Sequence, residues 1–349
     1  MMTCLLGLIL SVLVTLIPSL IAITVLWWLD RYEKEPLWLL GIMFFWGAVP
    51  TIIMSLVAQV VLDRPLSAVL GHSIFYPLAS MSIVAPLTEE TFKALIILAI
   101  FLFYRTEFDG VMDGILYGAL VGFGFSIVED AFYLTSSLLE GGWGSWGATV
   151  ALRVGLYSLN HSLFTACVGA GFGVARNARR IWQRLLFPVL GWLLAMTLHG
   201  IHNGGAVLAE ATSGLSCVFL TGVDWMGALG MLILALFAVR RERQWLEELL
   251  PEVENGVITA DEYQIASVYR ARFARGWRVL TRHGPLTWLK WSRFVQMIVD
   301  LAYKKHQKRA TAEGPRTDEL IAGLRQRIAR VRLELPRMEG ETFIPPGPL

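Results

Sequence analysis

The chain has 349 residues, of which 55% are hydrophobic, with a mean hydropathy of +0.56 and a formal net charge of +2. This composition is too apolar for an ordinary soluble domain of this length. The charge is uneven, because residues 1–239 carry 10 Lys/Arg and 14 Asp/Glu, whereas residues 240–349 carry 20 and 14. We therefore expect a transmembrane domain over 1–239 and a basic tail over 240–349.

Seven apolar stretches are each long enough to cross about 30 Å of hydrocarbon as a helix of roughly 20 residues. The first lacks the basic region and the cleavage site of a signal peptide, so we interpret it as a transmembrane helix. The pattern predicts an all-α, polytopic membrane protein with about seven transmembrane helices. Their approximate limits are 5–29, 37–62, 77–103, 110–136, 148–175, 186–208 and 215–239.

Lys and Arg concentrate in alternate connections between these predicted spans. The second connection has only Arg64, and the fourth and sixth have none. Because basic connections stay on the cytoplasmic side, we expect the N-terminus outside and the tail inside, in the cytoplasmic (inner) membrane of the cell. The first, third and fifth connections contain Arg31, Lys34, Arg105, Arg176, Arg179, Arg180 and Arg184.

The tail is predicted to be helical and cytoplasmic. "RRERQWLEELL" should continue the seventh span, and three amphipathic segments should follow "ENG", the first capped by Thr259 or Asp261. The final residues, 336–349, have a composition typical of disorder. We find no nucleic-acid motif, and a basic tail beside a membrane is expected to meet anionic lipid headgroups.

Several ionisable side chains fall inside the predicted spans, where each costs about 2.5–3.5 kcal/mol on insertion scales. Such residues normally face the interior of the helix bundle and serve a function. Glu89 and Glu90 lie at the midpoint of the third span, His161 at the midpoint of the fifth, and His199 near the midpoint of the sixth. Three helices thus place carboxylates and imidazoles at one depth.

Other polar residues in the spans have a structural alternative. Lys93 could simply pair with Glu89 at i,i+4, and Arg153 could snorkel to the outer interface. Glu129 lies roughly 9 Å toward the outside of the middle of its span. His202 lies nearly one turn beyond His199 on the same helix face.

Gly114, Gly118 and Gly122 repeat every four residues in the fourth span. In lipid, such a stripe of small residues lets two helices approach closely. We therefore expect the fourth span to pack tightly against a neighbour, which could hold Glu129 near the centre of the bundle.

Two adjacent carboxylates in a low dielectric cannot both ionise easily, so the pair can supply both a base and an acid. Neutral imidazoles can orient water or stabilise an oxyanion. A Glu with two His also matches a zinc ligand set. Either arrangement implies hydrolysis within the membrane, although the chain has no HExxH, GxSxG or GxGD-type motif.

The chain resembles the PrsW intramembrane proteases, which belong to a wider group with the CAAX prenyl-protease-like membrane proteins. The matching pieces are "DRYEKEPLWLL", "EETFK", "FDGVMDGILYGALVGFGFSIVEDAFY", "LNHSLFTACVGAGFG" and "LHGIHN", in family order. The family usually has Glu-Asn where this chain has Glu129-Asp130, and an aromatic residue where His202 stands. The resemblance implies active-site positions at Glu89, Glu90, Glu129, His161, His199 and Asn203.

The resemblance further implies an endopeptidase that cleaves membrane-anchored substrates, typified by anti-sigma factors in envelope-stress signalling. The expected partners are a single-pass membrane protein and the lipid bilayer, and not a nucleic acid. One Glu of the pair would activate water, and Asn203 is a candidate donor to the oxyanion or to the substrate backbone. The likeness to CAAX-type proteases favours a metal-free mechanism; the alternative is zinc bound by Glu89 or Glu90, His161 and His199.

Two functions of other classes stay open at this point. Carboxylates and histidines at mid-membrane depth also form proton relays in transporters and channels. A non-catalytic scaffold could bind a single-pass partner through the glycine stripe. Convergence of the carboxylates and both imidazoles on one water-sized space would favour the enzyme, whereas a continuous polar path would favour transport.

Overall fold

The computed structural model describes residues 2–71, 73–311 and 315–335, and every regular element in these ranges is helical. The predicted disorder of residues 336–349 lies outside the described residues. In chain order the first nine helices are α1 (Met2–Leu29), α2 (Leu37–Trp46), α3 (Ile52–Leu70), α4 (Phe75–Ala79), α5 (Ala85–Phe103), α6 (Val111–Thr149), α7 (Asn160–Arg176), α8 (Ile181–Val207) and α9 (Leu215–Trp245). The tail continues with α10 (Leu250–Glu254), α11 (Ala260–Ser267), α12 (Tyr269–Thr311) and α13 (Pro315–Glu334).

Three short π-helical segments are inserted between these helices. They are Gly47–Thr51 between α2 and α3, Ser80–Val84 between α4 and α5, and Val150–Leu156 after α6. A π-helical turn holds one more residue than an α-helical turn and is frequent at functional sites. The second of these segments ends immediately before the helix that carries Glu89 and Glu90.

The chain forms two compact units. The first comprises the described residues of Met1–Leu29, Glu35–Arg176 and Arg180–Leu236. The second comprises those of Asp30–Lys34, Asn177–Arg179 and Phe237–Leu349. The predicted division into a protease domain over 1–239 and a tail over 240–349 stays a prediction.

The prediction of an all-α polytopic membrane protein is confirmed. Among the described residues, five helical stretches are long and apolar enough to cross a membrane. The predicted fourth and fifth spans both lie in one of these, a 66-residue stretch. The predicted third span is helical as well, in α4, the segment Ser80–Val84 and α5, but it is not one of the five stretches. The five stretches are Leu5–Leu29, Leu37–Leu70, Val111–Arg176, Ile181–Val207 and Leu215–Glu254.

The glycine stripe brings the backbones of α6 and α7 into direct contact. A Cβ at Gly118 would lie 2.3 Å from the carbonyl oxygen of Thr165, and one at Gly122 would lie 2.2 Å from that of His161. A side chain at Gly114 would meet the α7 backbone in the same way. The expected tight packing of this helix is therefore present, and Glu129 follows Gly122 by two turns.

Within the tail, Thr259 caps α11. Its hydroxyl accepts from the backbone N–H of Glu262, whose carboxylate accepts from the N–H of Thr259. The expected single helix after this cap is instead split, because Val268 is extended between α11 and α12. α12 then runs through a kink at Gly284, where φ is +81°, and joins two segments that the sequence pattern separates.

Candidate active site

Glu90 lies at the centre of a fully buried network that joins α5, α7 and α8. Its Oε1 is 2.7 Å from Nζ of Lys93 and 3.0 Å from Nδ1 of His199. Its Oε2 accepts a hydrogen bond of 3.1 Å from the hydroxyl of Thr165. Three helices thus converge on one carboxylate, and both of its oxygens are engaged.

Glu89 differs from Glu90 in having one oxygen without a hydrogen bond among the described residues. Its Oε1 accepts from the side-chain amide of Gln59 on α3 at 3.1 Å. Its Oε2 is buried and has no hydrogen-bond partner among the described residues. That oxygen lies 3.7 Å from Nζ of Lys93 and 3.8 Å from Nε2 of His199. A buried polar atom of this kind is explained by an ordered water, an ion or a chemical role.

His161 connects this pair of carboxylates to a third. Its Nδ1 is 3.1 Å from Nζ of Lys93, and its Nε2 is 2.9 Å from Oε2 of Glu129. An ammonium group has donors only, so Nδ1 accepts and the neutral ring carries its hydrogen on Nε2. That hydrogen is donated to Glu129. Glu129, which was expected to lie well outside the centre of the bundle, is thus hydrogen-bonded to His161.

Arg153 is paired with two carboxylates of α6 and is therefore more than a snorkelling residue. Its Nη2 lies 2.6 Å from Oε2 of Glu129, and its Nε lies 2.5 Å from Oδ1 of Asp130. Asp130 also accepts from the hydroxyl of Ser126 at 2.9 Å. Asp130 therefore binds the guanidinium together with Glu129.

His202 belongs to a separate cluster. Its Nδ1 lies 2.8 Å from Oδ2 of Asp224 on α9 and 3.0 Å from the amide nitrogen of Asn160. Sequence reasoning missed Asp224, although the signal that revealed Glu89 applies to it as well: it is an ionisable residue within a predicted span. Among the described contacts, His202 makes none with either glutamate of the pair.

Asn203 is near the centre in sequence but is bonded elsewhere. Its side-chain amide donates to the carbonyl oxygen of Met81, in the π-helical segment Ser80–Val84, at 2.9 Å. It is half-buried and makes no hydrogen bond with the glutamates among the described contacts. Gln59, which binds Glu89, was not predicted; it is a polar residue inside the second predicted span.

An apolar groove of about 690 Å³ is lined by residues that are close in sequence to Glu89 and His199. Ser82, Pro86 and Leu87 line one side, just before Glu89 in the chain. Gly200 lines the other side and directly follows His199 in α8. A Cβ at Gly200 would lie 2.5 Å from the carbonyl oxygen of Ser82, so the glycine permits this close approach of the two walls.

Four side chains of this network are of types that bind metal ions. Single ligand atoms of Glu89, Glu90, His161 and His199 all lie within 4.8 Å of one another, and their types suit zinc. On Glu90, Oε1 is bound by the ammonium of Lys93 and Oε2 by the hydroxyl of Thr165. On His161, Nδ1 is bound by Lys93 and Nε2 by Glu129. A catalytic zinc commonly has three protein ligands, and only two donors are left. The arrangement therefore does not fit a zinc ion.

Comparison with known proteins places residues 35–239 in a family described as PrsW family intramembrane metalloprotease. Protease PrsW of Geobacillus kaustophilus is 28% identical over 196 residues, which is 56% of this chain and 79% of that protein. Protease PrsW of Bacillus subtilis is 28% identical over 174 residues, 50% of this chain and 72% of that protein. No solved structure matches the chain. The matched region contains the whole Glu/His network and more than half of the chain, which belongs to the PrsW family of intramembrane proteases.

Proposed function

We propose that the protein is an intramembrane endopeptidase in which Glu89 activates the water that attacks the peptide bond. The observation that carries this proposal is the buried Oε2 of Glu89, which has no hydrogen-bond partner among the described residues and lies 3.8 Å from Nε2 of His199. A general base must be within hydrogen-bond reach of the proton that it abstracts. A water beside this oxygen would meet that requirement.

The choice between the two glutamates rests on their partners. Glu90 is saturated, because Lys93, His199 and Thr165 donate to its two oxygens. A carboxylate held by three donors has little capacity left for a reacting water. Glu90 is thus the group that orients its neighbours, and Glu89 is the base.

His199 is oriented for the same water. Its Nδ1–H donates to the carboxylate of Glu90, so Nε2 carries the lone pair of the neutral ring. Oε2 of Glu89 and Nε2 of His199 are then two acceptors 3.8 Å apart. One water can donate a hydrogen to each of them, which turns its own lone pairs toward a substrate.

The reaction follows from this placement. Glu89 accepts a proton while the water oxygen forms a bond to the scissile carbonyl carbon, whose π electrons move to the oxygen. The tetrahedral intermediate then collapses, the C–N bond breaks, and the proton on Glu89 passes to the leaving nitrogen. The amide of Asn203 is a candidate donor to the oxyanion once it leaves the carbonyl of Met81. Glu129 acts through His161, whose ring it orients.

The apolar groove supports a membrane-anchored substrate. Its walls suit an extended stretch from a single-pass protein, and they flank Glu89 and His199 in the chain. We propose such a protein as the substrate, with an anti-sigma factor of envelope-stress signalling as the family-based candidate. The enzyme would lie in the inner membrane, with the N-terminus outside and the tail in the cytoplasm.

The family match supports the proposed division of labour along the chain. It ends at residue 239, so the tail over 240–349 lies beyond the part shared with the family. We propose that residues 1–239 catalyse the cleavage and that the basic tail contacts anionic lipid headgroups, without a nucleic-acid partner.

The close approach of the two glutamates and the two histidines favours an enzyme over a transporter or a non-catalytic scaffold. A proton-coupled transporter needs a polar path across the bilayer, whereas Glu89, Glu90, His161 and His199 gather within 4.8 Å. A non-catalytic scaffold would need no such gathering. The buried, unpartnered oxygen of Glu89 is also unexplained by a scaffold.

The test is cleavage of single-pass substrates after reconstitution in lipid. We expect the wild type to cleave and Glu89→Gln to lose about 10²–10⁴-fold in rate, because the amide keeps the size of the side chain but not its basicity. The matched control is Glu140→Gln, the same change at an exposed position of α6. Undiminished cleavage by Glu89→Gln would exclude Glu89 as the base.

A further inference from the structure

We propose that the ammonium of Lys93 occupies the place that a metal ion would take between Glu89, Glu90 and His161, so that the protein binds no metal there. The inference rests on the proposed function for its catalytic meaning, but its main measurement does not require a substrate. It concerns a residue for which the sequence suggested only an i,i+4 ion pair.

The position of the ammonium carries the argument. Nζ of Lys93 lies 2.7 Å from Glu90, 3.1 Å from His161 and 3.7 Å from Glu89, and its side chain is fully buried. Three of the four residues that could ligate an ion therefore already surround a positive charge. A lysine is fully buried only with partners of this kind.

The remaining side of the ammonium is covered by an aromatic ring. Nζ lies 3.8 Å from the centroid of Phe125 on α6, a distance typical of a cation–π contact. The ammonium is thus enclosed by two carboxylates, an imidazole and the face of a ring. A divalent ion bound to the same donors would sit beside a like charge in a low dielectric, which is unfavourable.

This placement makes Lys93 a positioning residue for both imidazoles. It donates to Nδ1 of His161, which fixes the hydrogen of that ring on Nε2. It also holds Oε1 of Glu90, the oxygen that binds Nδ1 of His199. One ammonium therefore sets the hydrogen-bonding state of two rings that come from different helices.

The first measurement is the metal content of purified wild-type protein, before and after treatment with a strong chelator. We expect well below about one zinc per chain, and cleavage unchanged by the chelator, because a zinc-dependent protease would lose its ion. About one zinc per chain, with activity lost on chelation and restored by zinc, would overturn the proposal.

The second measurement asks whether removal of the lysine opens the site. Lys93→Ala should bind Co²⁺ and show the visible absorption of a four-coordinate ion, because Glu90 and His161 regain free donors. The wild type should show none. The double variant Lys93→Ala with His199→Gln is the matched control and should lose the gained absorption.

These outcomes separate this proposal from the proposed function. A folded Lys93→Ala protein that binds no more cobalt than the wild type overturns the assignment of Lys93, whether or not the wild type is a protease. Absence of cleavage by the wild type, together with gained cobalt binding in the variant, would contradict the protease and leave the lysine's position supported. If Lys93→Ala fails to fold, the metal content of the wild type still decides.

Discussion

The imidazole of His199 touches both carboxylates of the pair, with Nδ1 at 3.0 Å from Oε1 of Glu90 and Nε2 at 3.8 Å from Oε2 of Glu89. The ring is also stacked on Phe164, with centroids 5.0 Å apart. Nδ1 of the ring is therefore held by Glu90, and Nε2 is turned toward the one oxygen of Glu89 that has no hydrogen bond among the described residues.

This relationship predicts which of the neighbouring histidines is needed. His199→Gln should reduce cleavage by at least about 10²-fold, because the water loses its second acceptor. His202→Gln is the matched change and should keep cleavage within a few-fold of the wild type, since His202 is bound to Asp224. Equal loss in both variants would place His202 in the reacting centre.

The pairing of Arg153 predicts a stabilising but non-catalytic role for Asp130. Asp130→Asn removes the negative charge and weakens one charge-assisted hydrogen bond, while Arg153 keeps Glu129. We expect the free energy of unfolding to fall by about 1–3 kcal/mol with cleavage retained. Thermal unfolding in detergent, with parallel cleavage assays, measures this. Complete loss of cleavage in a stable Asp130→Asn protein would contradict it.

The contact of α6 with α7 predicts strong sensitivity at Gly122. Gly122→Ala would place a Cβ 2.2 Å from the carbonyl oxygen of His161, so the backbones must separate. We expect a loss of about 1–3 kcal/mol in stability and reduced cleavage. Gly147→Ala, which lies beyond the non-helical Gly142 of α6 and has open space around it in the described structure, is the control and should be neutral. Equal unfolding temperatures for the two variants would refute the contact.

The burial of His306 predicts that the stability of the tail depends on pH. It is stacked on Trp245, and burial, with help from Arg309 and Arg241, lowers its pKa to about 4. Glu248 is 3.9 Å away but is paired with Arg309 at 2.8 Å. Between the unfolded pKa of about 6.5 and the folded value, only the unfolded chain binds this proton, so stability falls as pH falls.

Replacing this ring removes the titration. In His306→Phe, the tail of the full-length protein should lose less stability than the wild type between pH 7 and pH 5, because phenylalanine stacks but does not bind a proton. Limited proteolysis of the tail across this range measures the difference. Parallel pH profiles for the two proteins would show that His306 does not control it.

The positive charges of the connections predict the orientation in the membrane. In a cysteine-free background, a cysteine at Ser145 should react with an impermeant reagent in intact cells, and one at Arg180 only after lysis. The reverse pattern would invert the proposed orientation.

The depth of each side chain within the membrane could be predicted from the sequence. This depth was enough to identify most residues of the network. Glu89, Glu90, His161 and His199 were selected because each lies near the middle of an apolar stretch. The rise per residue of a helix fixes this depth whatever the packing. The structure places the same four residues within 4.8 Å of one another.

Rotation and tilt of the helices could not be predicted, and they decide the partners. The expected partner of Lys93 was Glu89, but its ammonium is 2.7 Å from Glu90 and 3.7 Å from Glu89. Glu129, expected about two turns from the centre, reaches His161 because the glycines remove the side chains between α6 and α7. Only packing determines such angles.

The π-helical segment Ser80–Val84 makes the length of the chain before Glu89 a constraint in its own right. A π-helical turn differs from an α-helical one by a single inserted residue. The wider turn absorbs that residue, so its removal would restore a regular helix with little change in the direction of Glu89. Deletion of one residue from the regular helix between this segment and Glu89 has no such outlet and would turn the glutamates by about 100° relative to the segment. The glutamates would then face away from α7 and α8, although no residue of the network had changed. Insertions and deletions, and not only substitutions, should therefore be rare between this segment and Glu89 during evolution.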